Sequence, residues 1–157
     1  MSATLDELAG VVDLFGGLTR PELSQAMIEL GARRGDDPDE DAVAASIETA
    51  VERYFLVRYE RPDDADLLVS GPAAFPAEPE HAEDLPHIMD VPDRSPDRAR
   101  LGEQVANRIR SDADAAIEGG DADRIERLID VTYDAEAWAP VGLDDVRGRL
   151  DAALADA

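Results

Sequence analysis

Apolar residues recur every three or four positions from Leu5 to Tyr54. They then switch to a β-branched and aromatic run, lose their period through a proline-rich stretch, and return to helical spacing. This succession of periods constrains the fold more than any other feature, because each amphipathic segment must cover its apolar stripe with another. It predicts a mainly α fold with one small β-hairpin. The N-terminal part is expected to be winged-helix-like, and the C-terminal part to be a helical hairpin plus one further helix.

The helix boundaries are written in capping residues. Thr4 and Glu7 have the spacing of a capping box, and Leu5, Leu8, Val12 and Phe15 follow at helical spacing up to Gly16-Gly17. Thr19 and Glu22 repeat the box with Pro21 in the first turn, and Leu23, Ala26, Met27 and Leu30 line one face before Gly31. After a polar loop at residues 35–41, where Asp37 or Asp39 can cap, Val43, Ile47, Ala50, Val51 and Tyr54 form a third stripe. Residues 55–60 and 67–70 read as two strands around the turn Arg61-Pro62-Asp63-Asp64-Ala65-Asp66. Three helices followed by a hairpin is the element order of a winged helix.

Residues 71–95 combine many prolines and acids with weak periodicity, and are either a linker or an ordered wrap across the surface. Phe75, Leu85, Ile88, Met89 and Val91 favour the wrap, since a free linker has little use for them. Ser95-Pro96 is expected to open the next helix, carrying Leu101, Val105 and Ile109 to Gly119-Gly120. Asp121 caps a helix with Ile125, Leu128 and Ile129. A last helix sets Leu143, Val146, Leu150 and Leu154 on one stripe. The expected parts are thus residues 1–75, a crossing segment at 76–95, and C-terminal helices at 96–157 packed on the first part.

Core material is thin. Leu, Ile, Val and Phe supply 36 of the 157 residues, while Ala alone supplies 26, and the net charge is −22. All 15 basic residues are Arg and none is Lys, with Asp outnumbering Glu 23 to 14. Arg is the less strongly hydrated cation and forks onto carboxylates, whereas Asp is a poor helix former that helix propensity does not select. High-GC codon usage also favours Arg, Ala, Gly and Asp. This composition resembles that of cytosolic proteins from salt-in halophilic archaea, with hydrated salt cations at the acidic surface; an acidic mesophilic protein is the alternative. Screening supplies the reason, since the Debye length falls from about 30 Å at 0.01 M salt to roughly 3 Å at 1 M.

Most site chemistries are excluded. With no Cys there is no disulfide, thiolate nucleophile or Cys-ligated metal. Asp6 and Glu7 stand where a signal peptide carries basic charge, and no apolar run reaches about 18 residues, so a cytoplasmic protein with no membrane partner is expected. Neither glycine pair has the frame of a phosphate loop, and Ser70-Gly71 lacks the preceding Gly of a nucleophile elbow. His81 and His87, among Glu78, Glu80, Glu83, Asp84 and Asp90, are the weak metal candidates, but six residues apart they match no ligand motif. No cofactor and no catalytic residue are expected, and the chain reads as a non-enzyme.

A winged-helix reading invites DNA binding through the third helix. That helix turns Asp41, Glu48 and Glu52 outward, offering carboxylates to phosphates and no Arg, Asn or Gln to purine edges. Arg33, Arg34, Arg58 and Arg61 are the basic residues available for DNA contacts, with surface ion pairs as their simpler use. The acidic face of Asp41, Glu48 and Glu52 suits a protein partner better. The stripe Leu143, Val146, Leu150 and Leu154, if exposed, would drive homodimerisation. Tyr133 and Trp138 are expected to anchor the C-terminal helices in the core.

The stretches Leu5 to Gly16 (LDELAGVVDLFG), Gly71 to Pro76 (GPAAFP) and Glu83 to Ile88 (EDLPHI) resemble a family of uncharacterised haloarchaeal proteins. So does Ala122 to Asp130 (ADRIERLID) through Trp138-Ala139-Pro140. The resemblance spans nearly the whole chain and implies one integrated unit, a cytoplasmic haloarchaeal protein, and no particular activity. The expected function is a non-enzymatic protein-interaction or regulatory module, with a winged-helix DNA-binding regulator as the alternative and nucleic acid left open.

Overall fold

In the computed structural model, which describes residues 4–35 and 39–156, Thr4 and Glu7 close a reciprocal capping box that starts α1 (Leu5–Phe15). Gly16 ends the helix in the left-handed region at φ 80°. Thr19 and Glu22 close a second box at α2 (Arg20–Arg33), which runs through Gly31 to Arg33 rather than stopping at the glycine. Asp39 caps α3 (Glu40–Glu52), accepting the Asp41 N–H at 3.0 Å, while Asp37 lies outside the described residues. Tyr54, expected on the α3 stripe, falls beyond the helix at φ 65°. Its buried ring marks the turn from helix to strand.

β1 (Leu56–Tyr59) and β2 (Leu67–Ser70) pair antiparallel with Leu56 opposite Ser70 and Tyr59 opposite Leu67. Leu18, between α1 and α2, exchanges both backbone hydrogen bonds with Leu68, at 3.1 and 2.6 Å, which fastens the hairpin to the helices. The core of this part combines Leu8, Val12 and Phe15 of α1 with Leu23 and Leu30 of α2, Ile47 of α3 and Leu56 of β1.

Residues 71–95 lie along α1. The Ala77 N–H donates to the Asp6 carbonyl and the Arg94 N–H to the Phe15 carbonyl, both at 3.0 Å, so contacts are made at both ends of the helix. Close approach explains two glycines: a β-carbon at Gly10 would collide with the Ala77 carbonyl, and one at Gly16 with the Arg94 carbonyl. Within the segment, a 3-10 turn (Ala82–Asp84) leads into the short helix α4 (Leu85–Ile88), where the sequence shows no helical pattern. Ala82, Leu85 and Met89 enter the same core, whereas Phe75 and Ile88 point to solvent.

The chain folds as two units, residues 1–96 and 97–157. The second contains α5 (Arg98–Gly119), α6 (Ala122–Trp138) and α7 (Asp144–Ala155). Asp97, not Ser95, caps α5, accepting the Ala99 and Arg100 N–H groups, so Pro96 precedes the helix instead of occupying its first turn. α7 packs on α6 and α5. Its stripe is covered accordingly: Leu143, Val146 and Leu150 are each 0% exposed, and Leu154 is half-buried. The chain is therefore mainly helical with one small hairpin.

Candidate functional site

The N-terminus of α2, the C-terminal end of α3 and the hairpin enclose a groove of about 280 Å³. Pro21, Val51, Ala65 and Leu68 give it apolar lining, and Thr19, Arg20, Arg58 and Asp66 complete the walls. Local structure dictates these positions. The Thr19–Glu22 box fixes where α2 begins, so Arg20 and Pro21 stand at its first turn beside the groove. The register that sets Arg58 opposite Leu68 brings both into the lining.

Charge in the groove is balanced, unlike that of the chain. Arg20 pairs with Glu48 of α3, and Arg58 pairs with Asp66 at 3.6 Å. All four side chains are substantially exposed, so these pairs hold the walls only weakly. The volume is just below the roughly 300–1,000 Å³ typical of small-molecule and cofactor sites. It suits a single apolar side chain.

Next to the groove, Glu22 accepts the Thr19 N–H at 2.8 Å and the Arg94 guanidinium at 2.6 and 3.2 Å. The Arg94 hydrogen bonds, aided by the Thr19 N–H, outweigh burial and hold the Glu22 carboxyl below the usual carboxylate range. Glu7 is lowered in the same way, first by the Thr4 N–H and then by Arg34.

The residues singled out from the sequence do not converge on one site. Asp41, Glu48 and Glu52 are exposed on α3, and Glu48 touches a groove residue, Arg20. Leu143, Val146 and Leu150 cannot form an accessible face because α5 and α6 cover them. Arg33, Arg34, Arg58 and Arg61 each pair with a carboxylate, respectively Glu29, Glu7, Asp66 and Asp64. His81 and His87 are both exposed, and among the described residues no three potential ligands gather at a metal site.

Aromatic placement differs from expectation too. Tyr133 is 58% exposed, with the Arg147 guanidinium 4.1 Å above its ring, while half-buried Trp138 carries Arg98 at 4.5 Å. Arg147 also forks onto Glu136 at 2.8 and 3.2 Å, so an arginine cluster, not a buried ring, ties α7 to α6.

Sequence reasoning missed two features. The groove needs tertiary contact among three elements, and no local pattern announces it. Phe75 is 83% exposed. Its backbone is nonetheless fixed, because its own N–H donates to Asp6 Oδ1 at 3.0 Å and the Ala73 N–H to the Tyr54 carbonyl at 3.0 Å. A Phe held in water forgoes roughly 1.5–3 kcal/mol of burial. Its only sequence signal is the run Pro72-Ala73-Ala74-Phe75-Pro76.

These features define a mainly α protein of two units, with a hairpin-bounded groove in the first and an arginine-tied three-helix unit as the second. No helix among the described residues is long and apolar enough to cross a membrane. The chain belongs to DUF7109, a family of unknown function that matches it over residues 6–155. Comparison with curated proteins and with solved structures gives no match.

Proposed function

We propose that the chain is a non-enzymatic, cytoplasmic interaction or regulatory module of a halophilic archaeon, whose winged-helix-like N-terminal part binds protein through the groove. The order α1-α2-α3-β1-β2 and the Leu18–Leu68 pair that ties the hairpin to the helices support the winged-helix reading. The groove carries the functional one. It is apolar within and charge-balanced at its walls, while the outward face of α3 bears Asp41, Glu48 and Glu52. A DNA-reading surface requires the reverse, cations outward and donors for base edges.

Capture of partners at molar KCl, with Ala65→Trp as the groove-filled control, tests this reading. The expected result is a partner held by the wild type and lost with A65W, and no electrophoretic shift with pooled genomic DNA. A saturable shift at the same salt, lost on replacing Arg58 and Arg61 by Ala, would instead establish the DNA-binding regulator.

A further inference from the structure

We infer that the occupant of the groove is Phe75 of a second copy of this chain; the inference rests on the groove being a protein-binding site. Phe75 is the most exposed of the large hydrophobic side chains described, at 83%, so it does not fill the groove of its own chain. It is presented rather than loose. The hydrogen bonds from Phe75 N–H to Asp6 and from the backbone of Ala73 and Ala77 fix it on both sides. Little ordering entropy is therefore lost on docking.

Size and charge match. A phenyl ring fits a groove of about 280 Å³ whose lining by Pro21, Val51, Ala65 and Leu68 is largely apolar. Around Phe75 stand Asp6 and, further along the segment, the exposed Glu78 and Glu80. The walls of the groove carry Arg20 and Arg58, held by exposed pairs with Glu48 and Asp66 that can be exchanged for carboxylates of a partner. On a chain of charge −22, an acidic segment meets less repulsion at this charge-balanced groove than at the carboxylate face of α3. Phe75 is not among the residues that line the groove, so the contact is between unlike patches and each copy offers both.

Sedimentation velocity of the full chain in molar KCl, over a concentration series, tests the inference. The wild type is expected to self-associate. Phe75→Ala and Ala65→Trp should each weaken association on the order of thirtyfold, the loss typical of a hot-spot anchor. Mixed, the two variants should form a heterocomplex, because one retains the groove and the other the knob. Arg58→Glu serves as a second groove variant should A65W misfold by circular dichroism. Wild type monomeric at every concentration, or F75A associating as the wild type does, overturns the inference. A monomeric wild type that still captures a different protein in an A65W-sensitive manner overturns self-docking and leaves the interaction reading standing.

Discussion

Arg94 forks its guanidinium onto Glu22 at 2.6 and 3.2 Å, fastening the end of the proline-rich segment to the capping box of α2. The two side chains are 14% and 24% exposed, so the pair is shielded from solvent more than the Arg34–Glu7, Arg20–Glu48 and Arg58–Asp66 pairs. A hydrogen bond to a charged group contributes about 1.5–3 kcal/mol, and Arg94→Ala is expected to cost that much in a denaturation series. The pH dependence has a definite sign. In the folded state the Glu22 carboxyl is held below its ordinary value of 4.5, so its contribution is fully present above that value and is lost as pH falls through the folded one. Glu22→Gln should reduce stability at neutral pH and flatten the acid limb of the stability curve; an unchanged acid limb would refute the role given to this carboxylate.

Gly10 tests how closely residues 71–95 lie on α1. Alanine ordinarily strengthens a helix interior, by up to about 1 kcal/mol over glycine. Here the added carbon meets the backbone carbonyl of Ala77, which cannot rotate away as a flexible side chain could. Gly10→Ala should therefore destabilise by about 1–3 kcal/mol, as overpacking does, and raise hydrogen exchange at Ala77 and Phe75. A stabilised variant would mean that the segment does not press on the helix.

Much of the fold is legible in the sequence because its signals are local. Thr4 with Glu7 and Thr19 with Glu22 announce two helix starts, Asp121 a third, and the run from Phe55 to Glu60 with Leu67 to Ser70 announces the hairpin. Sequence and structure part where local chemistry offers two answers. Ser95-Pro96 and Asp97 are both adequate cap signals, and Asp97 prevails by accepting two backbone N–H groups. Gly31 has the look of a stop, yet nothing at that position demands a left-handed residue and the helix continues. The groove and the exposure of Phe75 depend on which surfaces meet, information that spacing along one segment does not hold.

Burial of Leu150 on α7 makes a separate prediction. Leu150→Ala removes a fully buried side chain, and a cost of about 2–5 kcal/mol is expected. Association in sedimentation should nevertheless be unchanged wherever the variant remains folded, since the stripe faces α5 and α6 rather than solvent. A loss of self-association with little loss of stability would point to an accessible stripe instead.

Arg147 ties α7 to α6 through Glu136, Thr132 and the Tyr133 ring, with Asp144 of its own helix as a further partner, and geometry is what it contributes. Donation from Arg147 is the main reason the Glu136 carboxyl sits low, with the Leu143 N–H second. Lysine keeps the charge but cannot fork onto a carboxylate while lying over a ring. Arg147→Lys is expected to lower the melting temperature nearly as far as Arg147→Ala and to alter the Tyr133 near-ultraviolet signal equally. A full rescue by lysine would reduce the cluster to a simple charge effect.

Salt dependence follows from two opposed terms. Exposed ion pairs such as Arg58–Asp66 weaken as salt rises, but each is worth no more than about 1 kcal/mol. Against them stands an excess of 22 negative charges. Two like charges 10 Å apart in water repel by only about 0.4 kcal/mol, but each excess carboxylate has many such neighbours on a chain this small. Repulsion should dominate, so far-ultraviolet circular dichroism is expected to show full helicity at molar KCl and a loss on dialysis to about 0.01 M, reversed when salt is restored. Helicity equal in the two buffers would mean that a core drawn from only 36 large aliphatic and phenylalanine side chains outweighs the repulsion unaided, and the case for a halophilic protein would then rest on composition alone.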